Sequence, residues 1–476
     1  MKEIKVTDKY TGEIIATLHV DSREELKEKI KKAHISWPRV KKLERSEKID
    51  IIREIGRKLR NRRKEIIEML IREAGQPRKY AENFEYKNSY LATQFYDYML
   101  DLIEDREIEA MTGRNILICE PVGVVATMTP RNAPLILSLH SLLSSFGAGN
   151  PTILKPSTTT PLTARILYEI AVETMPEETV QYTTTPGEQA AWEFIENPYV
   201  AALIVYSSSH IGKDNIIKYG KYLEKEKKKL LGGFLIGGKL MKYIPELAGN
   251  DPLIVMENVD VEKIAKWATT IAFSNAGQMC ISAKRILIQD SIYEEFTEHL
   301  VEEVSKLKVG DPRDPDTDIG PIGTKRTLDI SEAQLKDALK KGGKILCGGE
   351  RNDPFYNPTL VELDGRKILK QEWNEKPFLW REECFAPIRS VVSFSNIEEA
   401  VRLANDSKYA LRCVIYGSQE ECIKLSRMID AGVVVINENP LYADIFMPFG
   451  GYKDSGVSGA KYLIEELVNR KIIHLG

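Results

Sequence analysis

The feature that most constrains the fold is a regular alternation of apolar, strand-like runs and amphipathic, helix-like segments that begins near residue 121. In the first set, the strand-like runs are 121–129, 152–155, 180–184 and 201–206. A second set covers residues 253–306, and a third covers residues 325–465. Such alternation is typical of parallel sheets covered by helices, in which ligands bind at the carboxyl ends of the strands. The sequence therefore predicts an α/β fold of more than one domain.

The first 104 residues show a different pattern. Residues 1–20 read as a short β-hairpin that turns at Thr11-Gly12, and helices are predicted over 23–35, 46–74 and 80–104. The charged runs on these helices are typical of solvated faces, so we expect the region to have a structural role.

The charge balance and the spacing of metal-binding residue types exclude several classes of partner. The chain has 67 basic and 70 acidic residues, a net charge of −3, which argues against nucleic acid as a main partner. The cysteines form no CxxC pair and the histidines are dispersed, so no metal site is predicted. There is no signal-peptide core and no apolar run of ~18 residues that could span a bilayer. We therefore expect a cytoplasmic protein without structural disulfides and without a membrane partner.

One cysteine lies in a setting that differs from a buried structural position. Cys280 follows Asn275, Gly277 and Gln278, which favour a tight and polar backbone path just before a strand-like run. A thiol acts as a nucleophile only as the thiolate, so its reactivity depends on such a polar, partly exposed environment. On this stretch alone, a small buried apolar residue is the favoured interpretation.

Polar or glycine-containing turns follow several predicted strands, although the familiar nucleotide-binding and hydrolase motifs are absent. There is no GxGxxG fingerprint, no Walker loop and no GxSxG elbow. The turns are Thr129–Asn132, Lys155–Thr158, Ser207–Gly212 and Glu246–Pro252. Each one by itself is more typical of an ordinary capped turn than of a ligand-binding site.

Taken together, these segments resemble the aldehyde dehydrogenase superfamily over nearly the whole chain. Within that superfamily, their sequences are most similar to the lactaldehyde and glyceraldehyde dehydrogenase branch. The segments that carry the resemblance are Pro121–Val125 with Thr129–Pro134, Gly147–Asn150 with Leu154–Ser157, Glu246-Leu247 with Gly249–Val255, Asn275–Cys280, Leu307–Pro312, Glu383–Pro387, and Pro448–Gly451 with Ser455-Gly456. Their order and spacing match, including the separation of Glu246 and Cys280 (280 − 246 = 34).

The resemblance implies two Rossmann-like, parallel-sheet domains and a small bridging β element. The implied segments are a dinucleotide-binding domain of residues 1–98 and 122–248, a catalytic domain of residues 249–447, and bridging segments 99–121 and 466–476. Strand pairing between subunits then predicts a homodimer or homotetramer. The lysine- and glycine-rich run 221–240 belongs to a segment longer than usual for the family, and it is interpreted as a lid, a subunit contact or a loop without function.

The resemblance also assigns catalytic roles to three residues. Cys280 is implied as the nucleophile, whose addition to an aldehyde carbon gives a thiohemiacetal oxyanion. The amide of Asn132 and the backbone N–H of Cys280 would stabilise that oxyanion. Glu246 is implied as the general base that activates water to hydrolyse the later thioester.

The resemblance implies a nicotinamide dinucleotide as the cofactor, with no metal. Lys155 is similar to the family's adenine-ribose lysine, Glu383 to its nicotinamide-ribose carboxylate, and Ser208 would face the pyrophosphate at a helix N-terminus. The full implied set is Thr129, Pro130, Lys155, Ser157, Thr158, Ser208, Glu383 and Phe385. Thr158 stands where many NAD-preferring members carry glutamate, and a hydroxyl does not repel a 2′-phosphate. We therefore expect NADP, with NAD as the alternative.

Several residues depart from the family pattern. Arg131 replaces a tryptophan, and a buried guanidinium needs a carboxylate, a substrate anion or solvent. It is therefore interpreted either as a substrate-recognition residue or as a salt-bridged structural arginine. Ser207, Ala248 and Ala386 each add a Cβ where the family has glycine, which could alter the cofactor pose.

The expected function is oxidation of a small, hydroxylated aldehyde, such as glyceraldehyde or lactaldehyde, to its acid. Met279 and Ile281 flank the nucleophile and are taken with Arg131 as tentative substrate contacts. Arginine often precedes the nucleophile in members that oxidise glyceraldehyde 3-phosphate, so Met279 favours an unphosphorylated substrate, whereas Arg131 favours an anionic one. The alternatives are a catalytically impaired binding or structural protein, a non-phosphorylating glyceraldehyde-3-phosphate dehydrogenase, and a CoA-acylating semialdehyde dehydrogenase.

Overall fold

The computed structural model describes residues 3–228, 240–439, 441, 446–457 and 459–476 of the 476-residue chain. The run 221–240 singled out above lies outside the described residues from 229 to 239. None of the described helices combines the length and the hydrophobicity that are needed to cross a bilayer.

The described strands follow the predicted alternation and add several short strands. In chain order they are β1 Glu3–Thr7, β2 Ile14–His19, β3 Arg106–Ile108, β4 Arg114–Pro121, β5 Val124–Met128, β6 Thr152–Lys155, β7 Val180–Tyr182, β8 Val200–Tyr206, β9 Lys242–Glu246, β10 Asp251–Val255, β11 Ala283–Gln289, β12 Lys344–Cys347, β13 Arg351–Asn352, β14 Phe355–Tyr356, β15 Thr359–Glu362, β16 Ile388–Phe394, β17 Tyr409–Ala410, β18 Arg412–Tyr416, β19 Val433–Ile436, β20 Tyr452–Lys453 and β21 Val468–Leu475. Strands β1 and β2 pair antiparallel as the predicted N-terminal hairpin.

The helices cover the sheets and form the N-terminal region. In chain order they are α1 Arg23–Val40, α2 Arg45–Asn61, α3 Arg63–Ala74, α4 Arg78–Tyr80, α5 Lys87–Gln94, α6 Asp97–Asp101, α7 Pro134–Gly147, α8 Leu162–Val172, α9 Gly187–Glu196, α10 Ser209–Lys228, α11 Val261–Phe273, α12 Tyr293–Ser305, α13 Lys325–Lys340, α14 Gly365–Ile368, α15 Phe378–Arg381, α16 Ile397–Asn405, α17 Gln419–Ser426 and α18 Leu463–Glu466. A π-helical turn, Ala81–Tyr86, joins α4 to α5.

Two large parallel sheets form the cores of the fold. The first has the order β7-β6-β5-β8-β9, with every pair parallel. The second has the order β12-β15-β16-β11-β10-β18-β19, in which β12 alone runs antiparallel to its neighbour. A separate antiparallel sheet has the order β21-β4-β3. This arrangement confirms the predicted α/β fold with parallel sheets, while the exact domain limits given above remain a prediction.

The largest errors of the sequence prediction concern helices. The helix predicted over 46–74 is two helices, because Arg62 between α2 and α3 leaves the helical region at φ −96° and ψ 14°. The helix predicted over 80–104 is broken into shorter pieces that include the π-helical turn. Helix α7 was not predicted, since it has apolar and small residues on all faces and most of its residues are buried.

The candidate site lies where the chain crosses from the first large sheet to the second. Because β5, β6, β8 and β9 are parallel, the turns that follow them lie along one edge of the first sheet. The chain passes directly from β9 to β10 of the second sheet through residues 247–250. The cysteine stretch connects α11 to β11 in that second sheet. The fold therefore brings the polar turns and the cysteine to one region.

Candidate active site

The loop that carries Cys280 has an unusual backbone. After α11 ends at Phe273, three consecutive residues adopt left-handed conformations, with φ of 52° at Asn275, 55° at Ala276 and 71° at Gly277. A left-handed conformation costs about 1–2 kcal/mol for a residue with a Cβ, so the surrounding structure must hold this loop in place. A Cβ at Gly277 would lie 2.7 Å from the carbonyl oxygen of Ala386, which excludes any side chain there.

The fully buried Arg389 holds this loop in place through hydrogen bonds to its backbone. Arg389 donates from Nε to the carbonyl oxygen of Ala272 at 2.7 Å, and from Nη2 to that of Gly277 at 3.2 Å. It also donates from Nη2 to Ser282 Oγ at 2.9 Å and from Nη1 to the carbonyl oxygen of Ala386 at 2.7 Å. Because its donors are used on both sides of the loop, Arg389 ties the cysteine loop to the segment that contains Glu383.

Lys284 fixes the backbone on either side of the nucleophile. Its ammonium donates to the carbonyl oxygens of Met279 at 2.7 Å and Cys280 at 2.5 Å, and it lies 3.4 Å from Glu383 Oε1. Glu383 Oε1 also accepts a hydrogen bond from the Gly249 N–H at 3.1 Å. A Cβ at Gly249 would lie 2.5 Å from the Cys280 carbonyl oxygen. Glycine at 249 is therefore required by the close approach of the two segments.

The thiol of Cys280 is neutral at ordinary pH. Burial raises its pKa to about 12, and the nearby carboxylates of Glu383, Asp251 and Glu246 act in the same direction. The charge of Lys284 opposes the shift without overcoming it. The residue is half-buried, and its setting does not stabilise a thiolate in advance. The thiol must lose its proton in the course of the reaction.

Asn132 lies between β5 and α7 and is held through its backbone. Its carbonyl oxygen accepts hydrogen bonds from Gln76 Nε2 at 3.0 Å and from Asn275 Nδ2 at 3.2 Å. At the adjoining end of α7, Glu85 Oε1 accepts from the N–H groups of Leu135 and Ile136 at 3.0 Å and 3.1 Å. These contacts leave the Asn132 side-chain amide to line the same cavity as Cys280.

The cavity beside the nucleophile has a volume of about 250 Å³. Asn132, Cys280, Met279 and Ile281 all line it, so four of the residues singled out in the sequence lie around one space. Its other walls come from the region of α5 and α6, from α7, and from residues 447–449 and 461–464.

Glu246 lies at the end of β9, against a second and much smaller cavity. This cavity has a volume of about 20 Å³ and shares His140, Phe449 and Lys461 with the larger one. Glu246 Oε2 finds no hydrogen-bond partner among the described residues. Burial, and secondarily the charge of Glu466, raises the pKa of Glu246 to about 8. A carboxyl group that is buried, without a partner and easily protonated is suited to proton transfer.

Arg131 lies outside the cavity that Met279 and Ile281 line. Its guanidinium donates to Gln278 Oε1 at 2.6 Å and to Thr327 Oγ1 at 3.1 Å, and it lies 5.4 Å from the centroid of the Phe385 ring. No carboxylate of the described residues is within ion-pair distance, and burial lowers its pKa to about 10. The geometry therefore supports neither the substrate contact nor the salt bridge considered above.

The implied cofactor residues lie along the edge formed by the carboxyl ends of β5, β6 and β8. The buried Lys155 ammonium donates to the carbonyl oxygen of Pro156 at 2.9 Å, and burial lowers its pKa to about 8. The Thr129 N–H donates to the Lys155 carbonyl oxygen at 3.0 Å, and the half-buried Pro130 follows. Ser208 is exposed immediately before α10.

Two hydroxyl groups and an unpaired cation complete this edge. Ser157 Oγ lies 2.9 Å from Thr159 Oγ1, and Thr158 between them is half-buried. No carboxylate of the residues that the structure covers lies within ion-pair distance of Lys155. A buried cation whose partner is a carbonyl oxygen leaves a positive charge at the carboxyl end of β6, and such a charge suits an anionic ligand.

The three residues that replace family glycines are placed in different ways. Ser207 turns its hydroxyl to the carbonyl oxygen of Ser208 at 3.1 Å, so it is engaged with its own backbone. Ala248 is buried, and its carbonyl oxygen accepts from Ser455 Oγ at 2.6 Å. Ala386 is fully buried beside Arg389.

Five residues around the site were missed in the sequence. They are Gln76, His140, Asn275 as a side-chain donor, Lys284 and Arg389. The signal for two of them was present, since Lys284 and Arg389 are charged residues inside strand-like runs that are otherwise apolar. Gln76, in the loop between α3 and α4, and His140, on α7, gave no comparable signal.

Comparison with known proteins agrees with this geometry. Residues 1–473 match the aldehyde dehydrogenase family. A lactaldehyde dehydrogenase of Methanococcus maripaludis is 29% identical over 480 residues, which cover 99% of this chain and 97% of that protein. The crystal structure of glyceraldehyde-3-phosphate dehydrogenase GapN from Methanocaldococcus jannaschii, complexed with NADP, has a TM-score of 0.89 at 29% identity, covering 100% of this chain and 99% of that one. The structure of aldehyde dehydrogenase 21 from Physcomitrella patens, in complex with the reaction product succinate, has a TM-score of 0.88 at 27% identity, covering 100% of this chain and 95% of that one. The chain therefore belongs to the aldehyde dehydrogenase family.

Proposed function

We propose that this protein oxidises an aldehyde to its carboxylic acid with NADP, through a covalent intermediate on Cys280. The observation that carries the proposal is the joint position of three groups. Cys280 and Asn132 line one cavity, and Glu246, whose Oε2 has no hydrogen-bond partner among the described residues, lines a second cavity that shares walls with the first. A nucleophile, an oxyanion donor and a base are the groups that this reaction requires.

The chemistry follows from these positions. The Cys280 thiol gives its proton to a solvent water molecule as its sulfur bonds to the aldehyde carbon, and the electron pair of the C=O π bond moves to the carbonyl oxygen, which becomes an oxyanion. The Asn132 amide and the Cys280 backbone N–H donate hydrogen bonds to that oxygen. A bound nicotinamide dinucleotide supplies the acceptor for the hydride that leaves the same carbon, and a thioester remains on the sulfur.

Glu246 then acts on water. It takes a proton from a water molecule whose oxygen attacks the thioester carbon; the C–S bond then breaks, the acid leaves, and Glu246 passes its proton to the Cys280 sulfur, which restores the thiol. The cavity of about 20 Å³ beside Glu246 exceeds the roughly 10–15 Å³ that one water requires. This supports hydrolysis over the CoA-acylating alternative, in which no water-activating base is needed.

The raised pKa of Glu246 sets the expected pH dependence of the reaction. Glu246 must be ionised to accept a proton, and its pKa is about 8. Below that value, the ionised fraction falls tenfold for each unit of pH. We therefore expect kcat with a fixed aldehyde to rise about tenfold per unit between pH 6 and about pH 8. Steady-state rates measured over this range would contradict the assignment if they were flat or fell with rising pH.

Residues at the carboxyl ends of β5, β6 and β8 would hold the dinucleotide. The unpaired ammonium of Lys155 would contact the adenine-side ribose or its 2′-phosphate, and the N-terminal end of α10 beside Ser208 would face the pyrophosphate. Glu383 would hold the nicotinamide ribose, with Phe385 beside the ring. The NADP in the GapN complex supports NADP as the cofactor, with NAD as the alternative.

Thr158 provides a test of this preference. We expect Thr158→Glu to lower the ratio of kcat/KM for NADP to that for NAD by about tenfold or more, because a carboxylate repels a 2′-phosphate. Thr158→Gln, which has the same shape without the charge, should keep the parent ratio. Steady-state kinetics with both dinucleotides measures the two variants. An unchanged ratio in Thr158→Glu would contradict the placement of the phosphate.

The names of the relatives support a small hydroxyaldehyde, such as lactaldehyde or glyceraldehyde, as a candidate substrate. The GapN relative also keeps glyceraldehyde 3-phosphate as a candidate. The position of Arg131 outside the cavity gives no support to recognition of that phosphate by Arg131.

The decisive experiment is an aldehyde panel assayed at 340 nm with NAD and with NADP, with and without CoA. Acid formation that does not depend on CoA supports the proposal, whereas acyl-CoA formation supports the semialdehyde alternative. The impaired-protein alternative predicts neither turnover nor dinucleotide binding by calorimetry, so tight binding of NADP would contradict it.

We also propose that β21 forms a contact between subunits of a homodimer or homotetramer. It is an edge strand paired with β4, and Ile472, Ile473 and Leu475 are 51%, 39% and 44% exposed. Exposed apolar edge strands are sites of association. We expect Ile473→Lys to shift the protein towards monomers in size-exclusion chromatography with light scattering, whereas Ile14→Lys on β2 should not. An unchanged mass for Ile473→Lys would contradict this contact.

A further inference from the structure

The cavity beside Cys280 has walls that differ from those expected for a small polyhydroxylated substrate. From the helical region Phe84 to Met99, its lining includes Phe84, Ala92, Phe95 and Met99. Helix α7 adds Ile136 and Leu137, and the C-terminal segment adds Met447, Phe449 and Tyr462. Apolar side chains therefore make up most of the described wall on all sides of the nucleophile.

Most of the polar groups in this wall are already engaged. Ser89 Oγ donates to the carbonyl oxygen of Glu85 at 2.7 Å, and Ser144 Oγ accepts from the Tyr96 hydroxyl at 3.1 Å. The Lys461 ammonium lies 2.9 Å from Glu466 Oε1 in an ion pair. Hydroxyl groups of a substrate would lose their hydrogen bonds to water on entering this cavity and would find few replacements.

Unpaired charge is also absent from the described lining. Apart from the paired Lys461, its titratable side chains include His140, whose pKa burial lowers to about 4, so the ring is neutral at pH 7. Neutral amides come from Asn132, which serves the oxyanion, and from Asn88. A phosphate or carboxylate on the substrate would therefore meet no free cation among these residues.

The exposed residues at the entrance to the cavity are also aromatic and apolar. Phe95, Tyr98 and Phe446 are 47%, 38% and 40% exposed, and the rings of Tyr98 and Phe446 meet edge to face with centroids 4.9 Å apart. Phe95, together with Met447 and Tyr462, also lines the cavity. Exposed apolar patches of this kind mark binding sites for apolar ligands.

We propose that the substrate class of this site is a neutral aldehyde with an apolar chain or ring, in preference to small hydroxyaldehydes and phosphorylated aldehydes. This inference rests on the proposed function. The volume of about 250 Å³ is many times the roughly 10–15 Å³ that one water requires, so the cavity has room for a chain longer than that of a three-carbon aldehyde. Straight-chain aldehydes of up to eight carbons probe how much of this space a substrate uses.

The test is a comparison of kcat/KM with NADP across two series of aldehydes. The first is propanal, butanal, hexanal and octanal, and the second is lactaldehyde, glyceraldehyde and glyceraldehyde 3-phosphate. We expect kcat/KM to rise about fourfold per methylene group up to hexanal, which corresponds to about 0.8 kcal/mol for each buried CH₂, and then to level off near octanal. Hexanal should exceed glyceraldehyde by at least tenfold.

A pair of variants tests whether this cavity sets the preference. Met99 is a half-buried apolar residue that lines the cavity. Met99→Gln replaces it by an amide side chain of similar size, and we expect the ratio of kcat/KM for hexanal to that for propanal to fall several-fold. Met69→Gln makes the same change at a half-buried position outside the cavity, and it should leave the ratio as in the parent.

The possible results distinguish the inference of an apolar substrate class from the proposed aldehyde oxidation itself. Turnover of glyceraldehyde or lactaldehyde above that of hexanal, or a flat response along the straight-chain series, would overturn the apolar substrate class and leave aldehyde oxidation intact. The absence of turnover with every aldehyde of both series would overturn the proposed function together with this inference. An equal loss of preference in Met99→Gln and Met69→Gln would overturn the role of the cavity wall.

Discussion

Replacing Cys280 by alanine is expected to lower kcat by at least about 10⁴-fold, since the variant has no atom that can hold the acyl group. The loss should appear with every aldehyde and with both dinucleotides. Mass spectrometry after mixing with aldehyde and NADP should detect an acyl adduct on the parent and none on the variant. The loss reflects chemistry if the variant keeps the parent melting temperature and its affinity for NADP by calorimetry.

Cys347→Ala is the matched control for this substitution. Cys347 is also a half-buried, free cysteine, but it lies on β12 at the edge of the second sheet. It should therefore keep the parent activity. If Cys280→Ala reduces NADP as fast as the parent does, the covalent mechanism is wrong.

Replacing Glu246 by glutamine is expected to lower the steady-state rate by about 10²–10⁴-fold, because the amide cannot accept a proton from water. Formation of the thioester comes before hydrolysis and does not need Glu246. We therefore expect a burst of about one NADPH per subunit, followed by slow turnover. Rapid-mixing absorbance at 340 nm measures both phases. A variant with unchanged steady-state turnover would contradict the role of Glu246, whereas turnover restored by CoA, whose thiol attacks the thioester directly, would support it.

The same substitution should change stability in a defined pH range. The pKa of Glu246 is raised from 4.5 to about 8 by burial, so the folded state favours the protonated carboxyl group. The unfolded chain ionises above about pH 4.5, and the stability that this group contributes is therefore lost as pH rises from there to about 8. We expect Glu246→Gln to raise the free energy of unfolding at pH 8 by about 1–3 kcal/mol relative to the parent.

Urea denaturation at pH 8 and at pH 4.5 measures this difference. The stabilisation should be present at pH 8 and absent at pH 4.5, where the parent carboxyl group is protonated in the folded state. Glu465→Gln, next to Glu466 and paired with Arg470 on the surface, should show no such gain. A variant that is less stable than the parent at pH 8 would indicate that Glu246 is ionised and paired in the folded protein.

The neutral thiol and the raised pKa of Glu246 have a common origin. Both residues are half-buried, and the removal of their ionisable groups from water disfavours the charged form of an acid. The protonation states therefore suit a site in which charge develops during the reaction. Neither shift follows from the sequence around residue 246 or residue 280, because burial depends on segments that are far apart in the chain.

The residues themselves determined the class of fold and the identity of the central groups. The alternation of apolar runs and amphipathic segments specified parallel sheets, because a strand buried on both faces needs a continuous apolar sequence. The spacing of Glu246 and Cys280, together with the turns after the strands, was enough to point to the family.

Only the tertiary structure decided how those groups are held and what surrounds them. The left-handed backbone of residues 275–277 depends on Arg389, which reaches it from β16 more than one hundred residues later. Arg131 has its amide and hydroxyl partners from Gln278 and Thr327, a pairing that no local pattern could reveal. The apolar character of the cavity is decided in the same way, since its walls come from four separate segments. A local sequence determines backbone preferences and burial patterns, whereas the contacts that set pKa values and a cavity's chemistry arise between residues that folding alone brings together.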